Sequence, residues 1–189
     1  MLEAEMQRVR RKEPQALGAW EYAMRALWHL GRYTREDLVE ARRLAAQSTV
    51  LDPGATLAFN ITAFSHLNEI GQGWSSSLPQ SVMAAYESAS KAVALDSRDA
   101  ASQTALAACE VFIRRTDDAI ARLKIAIDLN PNLTWAHGNL GIALTFSGRG
   151  DEAVAPFNEA LRQSPRDQFN FYWHYLMGFA LFIAGRYPE

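Results

Sequence analysis

Apolar residues along this chain recur at helical spacing, and nowhere do apolar and polar residues alternate long enough to suggest a strand. Alanine, leucine, arginine, glutamate and glutamine dominate, so the pattern predicts an all-α chain. The stretch TWAHGNLGIALTFSGRGDEAVAPFNEAL, residues 134–161, reads as helix yet holds Gly138 and Gly141 inside it. Each glycine costs roughly 1 kcal/mol relative to alanine in a helix interior. A second helix passing so close at Gly141 that no side chain fits would explain the cost, and such a site should recur in a repeated chain. The apolar run from Phe169 to Gly185 falls short of the about 20 apolar residues of a membrane span. It also encloses Asn170 and His174, and so predicts a buried helix.

Sliding the sequence against itself by 34 residues shows the recurrence. Leu106 falls on Leu140, Ala107 on Gly141, Ala119 on Ala153, Leu123 on Phe157, Ala126 on Ala160 and Pro131 on Pro165. Arg115, Asp117 and Asp118 fall on Arg149, Asp151 and Glu152. Leucine followed by a small residue, then alanine, an apolar residue, alanine and a closing proline at this period resembles the tetratricopeptide repeat. The resemblance implies a tetratricopeptide-repeat α-solenoid of antiparallel helix pairs, A and B, in about four and a half repeats.

Residues 1–15 read as a helical lead-in and 16–189 as the array, with repeats at about 17–55, 56–99, 100–133, 134–167 and a truncated 168–189. Repeat one carries a five-residue excess, placed in its turn region, and Thr34 ahead of Asp37 reads as the N-cap of its helix B. Repeat two is ten residues overlong, with the excess assigned to a loop GQGWSSSLPQS at 71–81. Pro156 predicts a mild kink in helix B of repeat four. In repeat five Gly178 takes the small position and Gly185 and Tyr187 the turn, after which the chain stops where helix B should begin. The chain therefore reads as a fragment whose last helix, apolar nearly all round, needs a cover.

In the tetratricopeptide family the exposed face of the A helices lines a concave groove that takes peptides. By that resemblance the groove here holds Asn60, Phe64 and Leu67 in repeat two, Phe112 in repeat three, and Trp135, Asn139, Ile142 and Phe146 in repeat four. Repeat five adds Tyr172, Tyr175, Leu176, Phe179 and Phe182. The groove is expected to be apolar and aromatic, with amides to orient a backbone and Gly138 opening space beside Trp135. An apolar surface of that size calls for a partner, either a protein or peptide segment or a second copy meeting it through the uncapped C-terminal helix. The alternative is that the rings pack on one another and bind nothing. Some domains of the family grip a terminal carboxylate with groove cations. Asn139 sits at one such position, but Thr104, Ala108, Tyr172 and Leu176 supply no charge.

Composition narrows the rest. A net charge of −2 gives no general reason to bind nucleic acid or anionic lipid, and the basic run Arg8, Arg10, Arg11, Lys12 is interleaved with glutamates. One cysteine, Cys109, excludes an intrachain disulfide and suits a reducing cytoplasm. None of the four histidines has a partner at metal-ligand spacing; His137 and His174 alone could approach one another on adjacent helices. The Gly-rich turns at 71–73 and 148–150 follow no strand, so no phosphate cradle is expected. No cofactor, metal or catalytic centre is expected, the loop around Trp74 being the one enzymatic alternative. The region from Ala19 to Phe59 with the GQGWS loop also resembles repeats carried C-terminal to bacterial class III adenylate cyclase catalytic domains; similar repeats follow winged-helix regulators. That resemblance implies a regulatory module of a larger signalling protein, with none of the cyclase's own site residues in this stretch.

Overall fold

The computed structural model describes residues 18–165 and 170–186, and among them it holds nine helices and no strand. The lead-in with its basic run, and Tyr187 of the last turn, lie outside the described residues. The chain forms two compact halves, divided between Ser97 and Arg98.

The first half contains α1 (Ala19–Leu30), α2 (Arg35–Leu51), α3 (Thr56–Gly71) and α4 (Leu78–Leu95). Consecutive helices pack on one another, and α1 also packs on α3. The short connections make neighbours antiparallel, as the repeat requires. Thr34 caps α2 as its sequence suggests, its hydroxyl oxygen accepting from the Asp37 backbone N–H at 3.1 Å. Burial works to raise the Asp37 pKa, but hydrogen bonds from Arg32, Thr34 and His29 outweigh it and hold the carboxyl down at about 2. Two expectations need correcting here. The excess of repeat one lies mainly in helix B, because α2 has 17 residues where the B helices of repeats three and four have 14. The excess of repeat two is also largely helical: α4 begins at Leu78, so residues 78–81 are not loop, and Pro79 sits in the first turn, where no backbone N–H is required.

The second half contains α5 (Ala100–Phe112), α6 (Thr116–Leu129), α7 (Thr134–Phe146), α8 (Gly150–Gln163) and α9 (Asn170–Ile183). Again each helix packs on the next, and the A helices stack, α5 on α7 and α7 on α9. Alanines and leucines from both members of each hairpin form the core, with Ala107, Ala119, Leu123, Leu140, Ala153 and Phe157 all buried. Helix α8 continues through Pro156.

The A-to-B turn is nearly the same object each time. After α5, α7 and α9 a residue with left-handed backbone follows two positions past the helix: Arg114 (φ 61°), Gly148 (φ 79°) and Gly185 (φ 72°). The next N–H then reaches back to a carbonyl inside the helix, Arg115 to Glu110, Arg149 to Leu144 and Arg186 to Leu181, each at 2.9 Å. This is the Schellman closure, which satisfies carbonyls the helix end would otherwise leave open.

Candidate functional site

The two glycines of α7 mark two close approaches. A Cβ built on Gly141 would lie 2.7 Å from the Phe157 ring of α8, so the close helix contact read from the repeat is present, with a ring as the neighbour. Gly138 has a different reason from the one its sequence suggested. A Cβ there would lie 2.5 Å from the Trp173 ring of α9, so Gly138 makes room for a buried tryptophan of the next A helix rather than opening a groove floor. Trp173 stands at the centre of a ring cluster, 5.3 Å from Trp135 in an edge-on arrangement, 5.4 Å from Tyr172 and 6.4 Å from Phe157. Gly150, first residue of α8, is a third approach: a Cβ there would run into the Ala180 carbonyl of α9.

On the open side of this cluster the A helices present a strip. Trp135, Ile142 and Tyr172 are half-buried against the core. Burial pushes the Tyr172 phenol above its usual range, with Tyr175 adding to it, so the hydroxyl stays neutral. Toward the C-terminal ends of the helices the rings emerge: Phe112 ends α5, Phe146 ends α7, and Phe179 lies one turn from the end of α9. Phe146 and Phe179 meet with centroids 6.4 Å apart while 58% and 38% of their surfaces remain exposed.

Other residues expected in the groove take other places. Asn139 is buried, and its amide donates to the Trp135 carbonyl at 2.8 Å within its own helix, so that N–H group is already engaged. Leu176 is buried. Tyr175 and Phe182 are exposed and stand one turn to either side of Phe179 on α9. Asn60, Phe64 and Leu67 belong to α3 in the first half, where Asn60 and Leu67 are buried and Phe64 is half-buried. The emerging rings therefore come from the second half. Trp173 was absent from the expected site, although Gly138, which has no glycine counterpart at Thr104, was its signal.

Several polar groups are engaged structurally, whereas the Trp173 indole N–H is buried with no hydrogen-bond partner among the described residues. Arg122 donates to both carboxylate oxygens of buried Glu110, at 3.1 and 3.0 Å, and to the Gln103 carbonyl at 2.8 Å. His137 holds the Pro131 carbonyl through Nε2 at 2.9 Å. Cys109 is buried, and burial, with Glu110 beside it, pushes its thiol up to about 12, so it behaves as a small apolar residue. Among the described residues no group of three or more histidines, cysteines or carboxylates is placed to hold a metal ion. Nor is any described helix long and apolar enough to cross a membrane.

Comparison with known proteins places the fold. No family model matches the sequence, and neither does any curated protein. Among solved structures, a thermophilic TPR protein of Thermus thermophilus superposes with a TM-score of 0.72 at 18% identity, over 96% of this chain and 91% of that one. PilF of Pseudomonas aeruginosa gives 0.61 at 21% identity, over 90% and 77%. YrrB, described as a TPR protein with an unusual peptide-binding site, gives 0.50 at 19% identity, over 98% and 86%. The fold is the all-α tetratricopeptide-repeat fold, as the 34-residue period implied.

Proposed function

We propose that this chain is a non-catalytic protein-interaction module that takes a peptide segment on the strip formed by Phe112, Phe146 and Phe179. The observation that carries the reading is the Phe146–Phe179 pair: two rings in contact with each other, exposed to water, on adjacent stacked helices. Their surroundings are rigid, because the half-buried Trp135 and Tyr172 tie the same two helices to the core. A preformed aromatic surface loses little side-chain freedom on binding, and so favours an apolar or aromatic side chain of the partner. The likeness of the fold to TPR proteins, YrrB among them, agrees with this use. In the wider protein the module is regulatory, of the kind carried behind adenylate cyclase catalytic domains, and acts in the cytoplasm.

Panning a random peptide library against the chain, with Phe146→Asp as counter-selection, tests the reading. Peptides rich in apolar or aromatic residues should be enriched and should lose binding to the variant. Enrichment indifferent to Phe146→Asp would overturn it. Removing the array from a full-length parent should change that parent's activity or assembly. A second reading, self-association that brings attached domains together, is favoured by the exposed rings of α9, where Phe171 and Tyr175 are each 68% exposed.

A further inference from the structure

A segment lying on the strip brings its own backbone. In an extended conformation nearly every residue has an N–H and a carbonyl that need partners, and burying one unpaired costs more than a made hydrogen bond returns. The polar side chains on the strip's side of α5 and α7 are turned away from such a task. Thr104 stands about two turns before Phe112 on α5, and Asn139 and Thr145 share the side of α7 that carries Trp135, Ile142 and Phe146. Thr104 donates its hydroxyl to the Ala100 carbonyl, Thr145 its hydroxyl to the Gly141 carbonyl and Asn139 its amide to the Trp135 carbonyl, each at 2.8 Å. Every one of these bonds runs one turn back along the donor's own helix, and all three side chains are buried. What α5 and α7 turn outward here is carbon, chiefly Phe112 and Phe146 at 45% and 58% exposure. On α9 the hydroxyls of Tyr172 and Tyr175 add two polar points, too few for a ladder of backbone groups.

A helix escapes the cost, because its backbone closes its own hydrogen bonds. Charge points the same way: no charged residue occupies the strip's positions on α5, α7 or α9, so a matching partner face carries none either. A helix with one uncharged apolar face and a polar back is amphipathic, and it meets a groove through side chains at i, i+3, i+4 and i+7. The span fixes its length. The three A helices stack in order, and neighbours lie about 8–10 Å apart, so the strip crosses about 16–20 Å. That is roughly three to four turns of helix, or about 11–13 residues.

Resting on the peptide-binding reading above, we propose that the strip takes an amphipathic α-helix of another protein, its apolar face down across Phe112, Phe146 and Phe179. The uncharged floor has nothing to hold a terminal carboxylate, so binding does not call for a free C-terminus in the partner.

Panning two random peptide libraries of equal composition and about fourteen residues, enough to cross the strip, supplies the test. One library places its apolar residues at helical spacing, the other at every second position. Binders that depend on Phe146, scored by their loss on Phe146→Asp, should come about tenfold more often from the helical library. A central proline should weaken them by about tenfold or more, since it breaks a helix, and circular dichroism should show helix gained on binding. Phe146 and Phe112 are exposed, so Phe146→Asp, and Phe112→Asp as the second such variant, should leave the melting transition of the chain in place. Phe146-dependent binders drawn mainly from the alternating library, or indifferent to proline, overturn the helical partner and leave the strip as a peptide site. No Phe146-dependent binder from either library overturns the peptide-binding reading itself, and the helical partner with it.

Discussion

Helices α7 and α9 occupy equivalent places in successive repeats, close with the same turn and carry glycine at the same position, yet they meet opposite fates. On α7 both Gly138 and Gly141 lie under rings, so the helix is locked on two sides. On α9 the inward side is equally tight, with Trp173 buried and Ala180 against Gly150, while the outward side is rings and an empty socket. A helix glycine thus has no fixed meaning in a repeat: its effect depends on what packs against it. The difference also separates positions by tolerance, since a methyl group at Gly138 or Gly141 meets a ring and one at Gly178 meets nothing within 4 Å.

Substitutions can break the comparison at its points of contact. The largest effect is expected at Gly150, where the obstacle to a methyl group is backbone that cannot rotate aside. Gly150→Ala should cost about 3 kcal/mol by forcing α8 and α9 apart, read as a lowered denaturation midpoint. Gly138→Ala and Gly141→Ala meet rings, which can give slightly, and should each cost about 1–3 kcal/mol in the same assay. Gly178→Ala at the open socket should reverse the sign and stabilise the monomer by up to about 1 kcal/mol through helix propensity. The smallest change is expected at Arg114, which holds by itself the left-handed conformation that glycine takes after α7 and α9. There Arg114→Gly should gain about 0.5 kcal/mol. Equal costs at Gly141 and Gly178 would erase the distinction between the two helices.

The parts legible in the sequence were those the repeat imposes on itself. The 34-residue period gave the helical pairs, the small position at Ala107 and Gly141, and the turn glycines, because each recurs under the same local constraint. The Thr34 cap was legible because it acts within four residues. Contacts made once were harder to read. Gly138 answers to Trp173, a residue 35 positions away in the next repeat, and Asn139 turns its amide onto its own helix instead of outward. Composition could not show that residues 78–81 continue a helix, since proline is a breaker in a helix interior and welcome in its first turn.

Radical footprinting of the aromatic side chains, run on the free chain and again with a selected peptide, reaches the central claim most directly. Phe146 and Phe179 should be oxidised readily in the free chain, while Phe157 and Trp173 are spared. Peptide should then protect Phe146 and Phe179 and leave Phe59 and Trp20 of the first half unchanged. Phe146 and Phe179 as shielded as Phe157 before any peptide is added, or peptide binding that leaves them open, would contradict the account.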